Sequence, residues 1–196
     1  MSKIRAILLG LGVTAVVATG VVVVGSSAIA AERPAAAVRP AQTTAVQHDT
    51  AGERDNVVGA RLIGFAEVPS KLSNGSGTFE AALSGDQIRY RLTYSGLTAP
   101  ATVAHIHFAQ PGVNGGVMAF LCGGGGKPAC PANGGTVTGT ITAADVQAIN
   151  TTGATDQGVA AGDFAGALRI LQSGNAYVNV HSSRFTAGEI RGQVRD

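Results

Sequence analysis

The chain lacks tryptophan, has only two methionines and two cysteines, and carries just 13% charged and 5% aromatic residues in 196. Each shortage excludes something. A nucleic-acid binder needs a concentrated basic surface. Here the formal charge is only +2, and setting Lys3 and Arg5 aside leaves 12 basic against 12 acidic residues. The same balance excludes a polybasic membrane-surface protein. Two cysteines cannot build a disulfide-dense scaffold, and a single Cys-x7-Cys pair lacks zinc-site spacing. Cys122 and Cys130, separated by Gly123 to Ala129, are therefore expected to form one disulfide in an oxidising compartment. What the chain has in quantity is glycine, 28 residues, and small apolar side chains. That mixture suits a β-rich domain with many tight turns.

One long apolar run occurs, from Ala6 to Val24, behind the positive Lys3 and Arg5. Ala28-Ile29-Ala30 supplies the small-residue pattern of a cleavage site, so residues 1–30 read as a secretory signal peptide. The run of about 19 residues also approaches spanning length, so a retained signal would act as a membrane anchor. Residues 31–56, rich in Ala, Pro and Thr and including His48, read as a flexible linker. The remaining 57–196 form the expected domain.

Within it, alternation of apolar and polar residues dominates. Ile88, Tyr90, Leu92 and Tyr94 alternate with polar neighbours, the cleanest period of two in the chain. Further strands are expected over Val57 to Val68, around Phe79 to Leu83, and over Thr102–Phe108, Gly116–Leu121, Gly135–Ile141, Ala176–His181 and Gly188–Arg195. Short helices are expected over Thr142–Ile149, with Thr142 as cap, and over Asp163–Gln172, with Asp163 as cap and Gly174 near the stop. The fold class is all-β, an antiparallel Greek-key-like sandwich or partly closed barrel with one or two short helices.

The histidines carry the chemistry. In Ala104-His105-Ile106-His107-Phe108 the apolar residues take one face of a strand and His105 and His107 the other. In Tyr177-Val178-Asn179-Val180-His181 the valines point inward, and Tyr177, Asn179 and His181 share the opposite face. Glu189 and Arg191 follow the same rule on the last strand. If these strands are neighbours, His105, His107 and His181, with Glu189 as a weaker fourth member, converge on a copper- or zinc-type site. The alternative is a hydrogen-bonded network without metal, with Glu189 paired to Arg191 or Arg184. Tyr177, Asn179 and Arg191 would then line a polar binding face. No catalytic constellation is identified: there is no nucleophile elbow. The Gly123–Lys127 run is not a Walker loop, since Leu121 and Pro128 stand where it needs Gly and Ser or Thr.

Taken in order, Gly64-Phe65-Ala66-Glu67-Val68-Pro69, Tyr94-Ser95-Gly96-Leu97, Ala104-His105-Ile106-His107, Tyr177-Val178-Asn179-Val180-His181 and Gly188-Glu189-Ile190-Arg191-Gly192-Gln193 resemble the CHRD domain. That family is named for its repeats in chordin and also occurs alone in exported bacterial proteins. The resemblance spans Val57 to Arg195, and Ala66 stands where the family's opening motif has Gln. It implies an extracellular or envelope-associated, non-enzymatic module that binds a protein or polymer partner. The H-x-H strand with a later histidine is also similar, more loosely, to the copper ligands of copper–zinc superoxide dismutase. The dismutase loops and zinc ligands have no counterpart, so that activity is not carried over.

Overall fold

The computed structural model describes residues 56–149 and 156–196. The expected signal peptide, and the expected linker except for Asn56, lie outside the described residues, as does His48. Eight strands form one sheet: β1 (Asn56–Ile63), β2 (Ser76–Leu83), β3 (Ile88–Ser95), β4 (Ala101–Phe108), β5 (Gly116–Cys122), β6 (Gly135–Ile141), β7 (Ala176–Ser182) and β8 (Ile190–Gln193). Their spatial order is β5-β4-β7-β8-β1-β2-β3-β6, with every pairing antiparallel. The sheet curls into a nearly closed barrel, as the alternation implied. The Tyr90 hydroxyl on β3 reaches across to the Leu121 carbonyl on β5 at 2.7 Å.

The barrel interior is apolar because each strand alternates. On β3, Ile88, Tyr90, Leu92 and Tyr94 are buried and Arg89, Arg91 and Ser95 exposed. Leu62, Phe79, Ile106, Leu121, Val178, Val180 and Ile190 complete the core, each at most 1% exposed. Fully burying a side chain of this size contributes roughly 1.5–3 kcal/mol.

One helix, α1 (Phe164–Gln172), packs Phe164, Ala167, Ile170 and Leu171 against the barrel. Asp163 caps it as expected, accepting from the Gly166 N–H at 2.8 Å. The second expected helix is corrected. Thr142–Ile149 holds only a single 3-10 turn, Ala143–Asp145. Asp145 folds back to accept from the Thr142 N–H at 2.8 Å, and the Gln147 N–H is taken by the Met118 carbonyl at 2.8 Å. Pairing with β5 therefore outcompetes helix propagation. The first strand also ends earlier than expected, at Ile63, with a 3-10 turn at Gly64–Ala66 behind it.

The disulfide is present. Cys122 and Cys130 are bonded, and their glycine-rich loop leads out of β5 toward β6. Lys127, inside that loop, pairs with Asp145 at 2.7 Å. Among the described residues no helix is long and apolar enough to cross a membrane.

A buried histidine cluster as candidate metal centre

The register of three strands builds the site. His105 on β4 faces Asn179 on β7, which faces Arg191 on β8. His107 faces Tyr177, which faces Gln193, and His181 lies opposite Val103. Directly opposed residues hold their Cβ atoms about 5 Å apart, so seven polar side chains share one patch outside the barrel wall. The β4–β5 pairing is irregular beside both histidines, with register shifts that leave Leu121 and Met118 as extra residues on β5. Such bulges re-aim neighbouring side chains.

The sequence places these groups on the correct face but not in the correct environment. They do not look onto water. His105, His107 and His181 are 7–8% exposed, and Tyr177, Asn179 and Arg191 at most 3%. Surface loops cover them. Arg191 donates to the Val113 carbonyl at 2.8 Å and to Asn114 Oδ1 at 3.2 Å, pinning the loop between β4 and β5 over the patch. Gln193 holds the start of the same loop through the Ala109 carbonyl at 2.8 Å. Gly115 closes it; a Cβ there would collide with the Phe108 carbonyl. The Arg191 guanidinium lies 3.4 Å from the centre of the Tyr177 ring, which stacks on the His107 ring at 4.5 Å.

Two backbone carbonyls decide which ring nitrogens carry protons. His107 Nδ1 lies 3.0 Å from the Gly115 carbonyl, and His181 Nδ1 lies 2.9 Å from the Thr186 carbonyl. A carbonyl only accepts, so both Nδ1 atoms donate. The rings are neutral: burial first, then the neighbouring imidazoles, pulls His105 down to about 3. Burial likewise pulls His107 down to about 4 and lowers His181. A neutral ring with Nδ1–H presents a lone pair at Nε2. Both Nε2 atoms face Asn179 Oδ1, each at 3.1 Å, and His105 Nδ1 lies 3.1 Å from His181 Nε2. Ligand nitrogens of the three rings all lie within 4.8 Å of one another.

Glu189 does not join them. It precedes the first paired residue of β8, so strand alternation does not aim it. Its Oε1 accepts from the Ser73 hydroxyl at 2.6 Å and the Thr98 N–H at 2.7 Å. Burial opposes its charge, but hydrogen bonds from Ser182, Ser73 and Thr98 hold its carboxyl below the ordinary value. Nor does it pair with Arg184, which lies over Phe185. The carboxylate beside Asn179 is Glu67, which sequence reasoning quoted in a motif but did not select. It is 4% exposed, and a Cβ on Gly188 would run into both Glu67 Oε1 and Asn179 Nδ2. Burial raises its pKa against the favourable Val68 N–H, Arg191, Lys71 and Asn179. The positive φ of Gly188, 120°, is what allows this approach.

The sequence profile of the CHRD domain matches residues 58–194. The chain belongs to the CHRD domain family. The match covers every strand of the barrel save the first two residues of β1, and every residue of the cluster, and it supports a domain of extracellular, binding type. The disulfide is compatible with that setting. No curated protein and no solved structure matches the chain.

Proposed function

We propose that this CHRD domain is an exported, non-catalytic module that binds one copper or zinc ion through His105, His107 and His181. The carrying observation is the convergence of lone pairs. Two imidazoles are held by carbonyls in the Nδ1–H form, and their Nε2 atoms turn toward a third imidazole and an amide oxygen. In the amide orientation present, Asn179 Oδ1 stands opposite two ring acceptors, an arrangement that a cation at their centre satisfies at once. Imidazole donors suit copper and zinc, and the carbonyls that hold Nδ1 provide the outer-shell support typical of such sites. The N-terminal signal features and the disulfide support export.

Metal analysis by inductively coupled plasma mass spectrometry, on untagged protein from the exported fraction, tests the proposal. About one copper or zinc per chain is expected, lost in His105→Ala and His181→Ala. Metal-free protein that also fails to take up either ion would overturn it.

A second reading, capture of an extracellular protein or polymer, is supported by Phe65 and Leu72, which are 66% and 86% exposed in the segment after β1. Phe65→Ser together with Leu72→Ser is then expected to release the protein from the envelope fraction, and unchanged retention would count against it.

A further inference from the structure

We infer that Asn179 supplies the fourth donor to the ion through its amide oxygen, and that Glu67 positions that amide. The inference rests on the metal reading of the histidine cluster and adds to it a coordination number. A tetrahedral ion with bonds of about 2.0 Å sets neighbouring donor atoms about 3.3 Å apart. Three successive contacts, His107 Nε2 to Asn179 Oδ1, Oδ1 to His181 Nε2 and His181 Nε2 to His105 Nδ1, run at 3.1 Å each, and the ring nitrogens all lie within 4.8 Å of one another. Those three contacts are close to the edge length of such a tetrahedron, with Oδ1 between His107 and His181.

The orientation of the amide follows from its other side. Asn179 Nδ2 lies with Glu67 Oε1 against the backbone of Gly188. The amide carries Nδ2 on the side of Glu67 and Oδ1 on the side of the imidazoles, the orientation that an acceptor carboxylate favours. Glu67 Oε1 is buried with no hydrogen-bond partner. Its negative charge has an electrostatic use next to a bound cation, because a site of four neutral donors leaves the ionic charge uncompensated. A four-donor site is coordinatively closed, which distinguishes holding a metal from metal catalysis, where a position stays open to water.

Cobalt(II) substitution of the full chain reads the fourth position. Metal-bound water titrates near neutrality. With Asn179 as ligand, the wild-type cobalt spectrum is expected to stay constant between about pH 6 and 9 and to ignore azide. Asn179→Ala then gains a pH-dependent and azide-dependent spectrum, and Asn179→Asp, which restores an oxygen donor, loses both. Glu67→Gln is expected to weaken zinc binding by about 10–100-fold while metal-free melting is retained. A wild-type spectrum that itself titrates or shifts with azide overturns the role of Asn179. Unchanged zinc affinity in Glu67→Gln overturns the role of Glu67. Failure of the wild type to bind cobalt or zinc at all overturns the metal reading instead.

Discussion

The two halves of the barrel obey the same alternation and end in opposite environments. In the half made by β2 and β3, outward residues such as Glu80, Arg89 and Arg91 meet water. In the half made by β4, β7 and β8, outward residues meet loops, and every residue of β7 is buried. Alternation separates inside from outside; it does not say what covers the outside. The open half needs only solubility from its outer face. The covered half must satisfy each polar group it hides, and on the proposed metal reading a bound cation does so for the three imidazoles.

On the proposed metal reading, the sharpest expected break between the halves is metal binding. His105→Ala, His107→Ala or His181→Ala is expected to cost more than about 100-fold in zinc affinity, since outer-shell losses alone cost up to that much. Arg91→Ala on the open face changes nothing in the same competition titration against a chromophoric chelator.

Stability should divide the halves next. Arg191→Leu leaves the Val113 carbonyl and Asn114 Oδ1 without the Arg191 donor and removes the cation over Tyr177. A loss of about 2–4 kcal/mol is expected, read as a lower urea midpoint at constant slope. Arg91→Leu stays within about 0.5 kcal/mol. Equal effects would erase the distinction.

The seam where the two ends of the sheet approach comes third. Cys122→Ser with Cys130→Ser opens the loop leading from β5 toward β6 and is expected to cost about 2–3 kcal/mol in the same denaturation. Zinc affinity should persist, because the bond lies outside the cluster.

The mildest probe is pH. In metal-stripped protein burial holds His105, His107 and His181 below their unfolded value of about 6.5. His105 titrates at about 3 and His107 at about 4. As pH falls below about 6.5, the unfolded chain takes up protons that the folded one refuses. Melting temperature should therefore decline progressively toward pH 4 and continue down through the two native values. Stability independent of pH across that window would show that the rings are not neutral and buried.

Much of this was legible in particular residues. Ile88, Tyr90, Leu92 and Tyr94 declared a half-buried strand, and H-x-H with N-V-H placed three imidazoles on one face. Asp163 and Gly174 bounded the helix. What escaped depended on contacts remote in sequence. Glu67 reaches Asn179 only because Gly188 lets a loop approach, and Glu189 enters the sequence reading as a weaker fourth ligand on an alternation that starts only at Ile190. The bulges at Met118 and Leu121 have no local signature. The Thr142 stretch carried good helix signals, but Gln147 found a better partner in β5.

The central claim is that neutral imidazoles aim lone pairs at one point on the covered face. Long-range proton–nitrogen correlation NMR of untagged, metal-stripped protein tests it directly. The account predicts Nδ1–H tautomers for His107 and His181 at neutral pH, with their Nε2 resonances shifting on addition of a single equivalent of zinc. An imidazolium or Nε2–H form at either residue, with no shift on zinc, would contradict it.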